Sequence, residues 1–104
     1  MTFYALVNHN EEGVRFYGIF ETIHHVNNVI ANYDVEQARN YGEIDNNFKY
    51  KQCLIYAFED GDEDLIDCLL SRYQDFIFNG LENETYKTDF EIIPVSLNEF
   101  LVDE

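Results

Sequence analysis

An α+β fold is predicted by three observations: an antiparallel or mixed sheet of about four strands, in the order β-β-α-β-α-β, with helices packed on one face. Runs rich in aromatic and β-branched residues near both ends of the chain have strand composition. Two interior segments repeat their apolar residues at three- and four-residue spacing, which is helical. The chain has 104 residues, 46% hydrophobic and 16% aromatic, with no linker or shift of composition, so residues 1–104 support a single domain.

Phe3 to Val7 and Val14 to Phe20 read as a β-hairpin, joined by the turn-forming run Asn8-His9-Asn10-Glu11-Glu12-Gly13. Alternation puts Val14, Phe16, Gly18 and Phe20 on one face of the second strand, and Arg15, Tyr17 and Ile19 on the other. Ile23, Val26, Val29, Ile30 and Tyr33 then have helical spacing, with Thr22 as N-cap. From Val35 to Asn47 the chain is polar and weakly periodic, which predicts a short helix around Glu36 to Asn40 followed by a loop. In Phe48 to Phe58 the aromatic and β-branched content predicts a third strand, punctuated by Gly61, while Leu54, Ala57 and Phe58 also fit a helix face. Asp62 to Asn79 is the clearest helix, with an apolar stripe from Leu65 to Ile77, acids at its positive end, and Asn79-Gly80 as a left-handed stop. Tyr86 to Leu97 reads as the last strand, and Pro94 places it at a sheet edge or ends it.

Charge narrows function. Twenty-one acids against six bases leave a net charge of -15 and a pI near 4.2. Direct binding to nucleic-acid phosphates is excluded as a leading reading, because it depends on Lys and Arg releasing counterions. Adhesion to an anionic membrane fails by the same repulsion. Disorder is opposed by nine Phe, eight Tyr and a single Pro. No apolar run reaches the 18 residues of a membrane span, and Met1-Thr2-Phe3-Tyr4 lacks the basic start of a secretory signal, so the expected location is cytoplasmic.

The charge is lopsided: residues 1–51 carry -3 and residues 52–104 carry -12. Its densest point is Glu59, Asp60, Asp62, Glu63, Asp64 and Asp67, six carboxylates in nine residues, which Glu82, Glu84, Asp89, Glu91, Asp103 and Glu104 could extend. A helix N-terminus accounts for two or three of the six. A calcium loop fits Asp60, Asp62 and Asp64 by spacing, but Leu65 occupies the glycine position and Ser71 the position of the bidentate Glu. The reading that uses the whole cluster is a partner surface whose carboxylates dock into a basic cleft of another protein. Tyrosines are enriched at interface hot spots, so Tyr41, Tyr73 and Tyr86 are expected as exposed anchors. The candidate partner-binding set is Glu59, Asp60, Asp62, Glu63, Asp64, Asp67, Tyr73, Glu82, Glu84 and Tyr86.

Catalysis finds no motif. His24 and His25 are adjacent and on a helix diverge by about 100°, while His9 lies in the hairpin turn. Ser71 and Ser96 sit in no nucleophile elbow, and all five glycines are isolated, which removes a phosphate loop. Cys53 and Cys68 form no C-x-x-C pair and are expected as reduced, buried thiols. The expectation is a non-enzyme with no cofactor.

In size, charge, aromatic content and the Glu59 to Asp67 cluster, the chain resembles small acidic immunity proteins that neutralise nuclease toxins in contact-dependent inhibition, colicin and barstar-like systems. It also resembles phage anti-restriction and anti-CRISPR proteins. Both resemblances imply a stoichiometric inhibitor that occludes a basic nucleic-acid-binding or catalytic cleft, with a nuclease or other nucleic-acid-binding enzyme as partner. The immunity role is preferred here. A phage anti-defence mimic is the alternative, and an acidic metal-binding or accessory domain is the alternative of a different class.

Overall fold

A computed structural model describes residues 2–10 and 12–96 as β1 (Thr2–Asn10), β2 (Gly13–Phe20), α1 (Ile23–Tyr41), α2 (Lys51–Asp60), α3 (Glu63–Glu82) and β3 (Phe90–Ser96). The class is α+β. Among the described residues the sheet has three strands in the order β2-β1-β3, all antiparallel, rather than about four. The element order is therefore β-β-α-α-α-β, because Phe48 to Phe58, expected as a strand, is mostly helical. Leu54 and Ala57 are buried and Phe58 is half-buried, a three- and four-residue spacing that packs this stretch onto α3. Gly61, at φ 68, closes α2 in the left-handed conformation, so the punctuation expected to end a strand ends a helix. Burial against a neighbouring helix outweighs the β preference of the aromatic residues here.

α1 is one helix of 19 residues where a helix, a break and a short helix were expected. Thr22 is its N-cap as expected, accepting from the His25 backbone N–H at 3.1 Å. The buried face reads Val26, Asn27, Ile30, Ala31 and Ala38, so a polar residue and two alanines weaken the periodicity visible in the sequence. α3 begins on Asp62, whose side chain accepts from the Leu65 N–H at 3.2 Å. It continues past Asn79-Gly80 to Glu82, and Glu84, at φ 59, takes the left-handed position that Gly80 was expected to fill. Gly80 is there for proximity: a Cβ on it would lie 2.6 Å from the Tyr86 Cβ.

α1, joined by Leu81 of α3, covers one face of the sheet, and α2 packs on α3 instead. A bulge in β2 sits where the register steps from Leu6–Gly18 to Val7–Phe16, with Gly18 at φ 133. The extra residue, Tyr17, breaks the alternation expected for this strand. Phe20 stays on the helix side, while Val14 and Phe16 turn to the opposite face, where Ile19 and Ile93 also stand exposed. Among the described residues β3 pairs only with β1 and is an edge strand, one of the two positions Pro94 predicted. The expected strand end at Leu97 lies outside the described residues.

Two cores stand in tandem along α1. Leu6, Val26, Ile30 and Phe90 fill the one between the sheet and the first half of α1. Phe48, Leu54, Leu70, Tyr73 and Ile77 fill the other, among the three helices, and Leu81 packs against both. No helix among the described residues is long and apolar enough to cross a membrane.

Candidate functional site

A cleft of about 510 Å³ opens at the waist between the two cores. The row of β1 side chains facing the helices runs Tyr4, Leu6, Asn8, Asn10, and beyond Leu6 it turns from apolar to polar at the cleft wall. α1 contributes Tyr33, Asp34 and Gln37, the α1–α2 connection Glu43, Ile44 and Asp45, and α3 Tyr73; Tyr86, Lys87, Thr88 and Asp89 come from the segment entering β3. Four carboxylates and one ammonium therefore line one concavity, although they are scattered from residue 34 to residue 89.

The walls are held by hydrogen bonds to tyrosine. The Tyr86 hydroxyl donates to Asp34 Oδ2 at 2.6 Å, and the Asp45 backbone N–H donates to the Tyr73 hydroxyl at 2.9 Å. Asp45 Oδ1 accepts from the Asn47 N–H at 2.7 Å, which fixes the turn into α2. Burial raises the Asp34 carboxyl above the ordinary carboxylate range; the Tyr86 hydrogen bond opposes this, and the negative charges of Asp89 and Glu43 add to it. Burial raises the Tyr73 and Tyr86 hydroxyls as well, which keeps Tyr86 protonated as the donor to Asp34.

The predicted partner residues divide into two groups. Glu59, Asp60, Asp62, Glu63, Asp64 and Asp67 are all exposed along the α2–α3 turn and the start of α3, as expected. Among the described residues, Asp67 alone of the six is in a salt bridge, to Arg39 at 2.7 Å. Tyr56 and Leu65, 60% and 42% exposed, add apolar area to this convex surface.

Glu82, Glu84 and Tyr86 lie at the other end of α3, about 30 Å away for a helix of 20 residues, and do not extend the patch. Glu82 accepts from the buried Asn27 side chain and pairs with His24 Nδ1 at 2.6 Å, tying α3 to α1. Glu84 is exposed and shapes the turn after α3. Tyr73, expected as an exposed anchor, is 2% exposed in the helical core, where its ring packs on Phe48 and Phe76. Tyr86 is half-buried, and its hydroxyl is engaged by Asp34. Of the three expected anchors only Tyr41, 71% exposed, is at the surface. Asp103 and Glu104 lie outside the described residues.

No protein-family model, curated protein or solved structure matches the chain.

The remaining reactive side chains are dispersed. His9 lies in β1 rather than in a turn and meets Glu91 at 2.6 Å, and His25 packs edge-on to Phe20. Cys53 and Cys68 are free and exposed, not buried as expected, because each lies on the outward face of its helix. Among the described residues no three His, Cys, Asp or Glu side chains are grouped to hold a metal ion. A second cavity of about 280 Å³ is lined by Phe48, Tyr50 and Phe76, but Lys49 and Arg72 already sit over the Tyr50 ring. The sequence reading missed the waist cleft, for which Asn8 in the row Tyr4-x-Leu6-x-Asn8 was the local signal.

Proposed function

We propose that the protein is a stoichiometric inhibitor that captures a basic protein, an immunity protein whose carboxylates occlude the nucleic-acid-binding cleft of a nuclease toxin. The observation that carries this reading is the position of Glu59 and Asp60. Both occupy the last turn of α2, at the negative end of its dipole, and that turn contains no base. Acids there work against the helix, whereas Glu63 and Asp64 in the first turn of α3 favour theirs. Folding therefore accounts for Asp62, Glu63, Asp64 and Asp67 but opposes Glu59 and Asp60, and partner recognition supplies a reason for these two. A surface of this kind accelerates encounter with a basic cleft by roughly 10- to 1,000-fold, with strong salt dependence.

The test is charge reversal at Glu59, Asp60, Glu63 and Asp64, leaving Asp62 in place because it caps α3. A nuclease co-purified from the source organism should be fully inhibited by one equivalent of the native chain. The reversed variant should need at least about tenfold more, the scale expected when close charge pairs across an interface are lost. A Gln/Asn version of the same four sites controls for stability. Unchanged inhibition by both variants, or a captured partner that processes no nucleic acid, refutes the reading.

A further inference from the structure

We propose that the waist cleft binds an organic cation carrying several N–H donors, of the guanidinium or polyamine class. Three features specify that chemistry. First, Asp34, Glu43, Asp45 and Asp89 line the cleft against the single base Lys87, which makes no ion pair among the described residues, so the concavity keeps a net negative charge. Second, no three acids are grouped to hold a metal ion among the described residues, so the complement to this charge is a cation as extended as the carboxylates themselves.

Third, Asn8 is 7% exposed, lines the cleft, and its side-chain amide has no hydrogen-bond partner among the described residues. It follows Leu6 by two residues along β1 and so leaves the same face of the sheet, but where Leu6 enters the core, Asn8 meets the cleft. No buried side-chain nitrogen or oxygen among the described residues lacks a partner, so the Asn8 amide opens into the cleft, where a bound donor would take the place of water at its oxygen. The remaining walls are rich in acceptors as well, and Tyr33 and Tyr86 are the partly exposed aromatic residues that line them. Carboxylates with aromatic sides suit a guanidinium or an alkylammonium chain, which offers charge, donors and an apolar stem together. The cleft's volume falls within the range of about 300–1,000 Å³ typical of small-ligand sites.

This inference is independent of the inhibitor reading, since none of its residues belongs to the α2–α3 turn. Calorimetric titration of the full chain with agmatine, spermidine, capped arginine amide and an arginine-containing peptide tests it at fixed ionic strength, with magnesium chloride as the ionic control. The expected result is saturable one-to-one binding of at least one organic cation and none of magnesium. Asp89→Asn and Asn8→Leu should each weaken it about tenfold, the scale of a charged or buried hydrogen bond lost from a site. Lys87→Gln should tighten it. Agmatine or spermidine binding more tightly than the peptide identifies a free small cation, and the reverse order identifies a side chain presented by a polypeptide. The α2–α3 reversal should leave cation binding intact, so each proposal can fail alone. Absence of saturable binding by any probe, or equal loss on neutralising Glu59 and Asp60, overturns the inference. Circular dichroism on every variant separates loss of the site from loss of fold.

Discussion

Gly80 lies inside α3, and replacing it with Ala in an ordinary helix interior would stabilise the protein by about 1 kcal/mol. The opposite is expected here. The new Cβ would lie 2.6 Å from the Tyr86 Cβ and 3.5 Å from both its Cα and its backbone nitrogen. Favourable carbon–carbon contact begins near 3.5 Å, so the segment must move by roughly 1 Å, and no side-chain rotation relieves a clash at Cβ. The Gly80 carbonyl accepts from the Thr85 and Tyr86 N–H groups at 2.8 and 3.1 Å, so moving Tyr86 strains both bonds. The bond from the Tyr86 hydroxyl to Asp34 goes with them. Overpacking of this kind costs about 1–3 kcal/mol, and a hydrogen bond to a charged acceptor contributes about 1.5–3 kcal/mol. The chain relieves one largely at the expense of the other, so the two are not added; against the helical gain, the net expectation is a loss of about 1–2 kcal/mol. At roughly 4–8 °C per kcal/mol for a domain near this size, thermal unfolding followed by circular dichroism resolves it. In a Tyr86→Gly background the clashing Cβ is gone, and the same substitution should become neutral or stabilising. A Gly80→Ala single variant that melts higher than the native chain would refute the packing argument.

Asp34→Asn should raise stability at neutral pH and flatten its pH dependence. The folded carboxyl is raised, so as pH rises from the ordinary carboxylate pKa through the folded value, the native chain retains a proton that the unfolded chain has released, and stability falls. Asn keeps an acceptor for the Tyr86 hydroxyl, and urea midpoints at mildly acidic and neutral pH should converge for the variant; a variant less stable at neutral pH contradicts the assignment. Ile77→Ala should cost about 2–5 kcal/mol in chemical denaturation, since Ile77 is fully buried in the helical core. Ile93→Ala, on the open sheet face and 39% exposed, should cost no more than about 0.5 kcal/mol, and a larger loss would mean that this face is covered.

What the sequence made legible follows from how locally each signal is encoded. Thr22 and Asp62 cap their helices through bonds spanning three residues, and Pro94 marks the edge strand through its missing N–H. Phe48 to Phe58 was ambiguous because aromatic alternation and a 3-4 helical spacing coexist there, and only contact with α3 decides between them. The face of β2 inverted because one bulged residue shifts every side chain beyond it, which alternation alone does not reveal. The exposed acidic cluster at the α2–α3 turn was legible because its six carboxylates fall within nine residues. The cleft was not, because Asn8, Asp34, Glu43, Asp45 and Asp89 come together only when β1, α1, the α1–α2 connection and the segment entering β3 converge.

The two charged features obey different electrostatics, and this makes them separable. The turn carboxylates project into solvent, where a Debye length of about 8 Å at physiological salt screens their attraction for a distant partner. On the proposed inhibitor reading their contribution lies in encounter and should fall steeply as salt rises. In the cleft, Asp34 is partly withdrawn from water and flanked by the charges of Asp89 and Glu43, so its interactions are less screened and persist at salt concentrations that silence the turn. Both features retain groups that the fold alone would not select: acids at the wrong end of α2, and a raised carboxyl in a cleft lined with like charge. Such groups are expected where recognition, rather than stability, has set the residue. A ligand whose affinity survives high salt and depends on the Asp34 carboxyl belongs to the cleft, and one whose affinity collapses with salt and depends on Glu59 belongs to the turn.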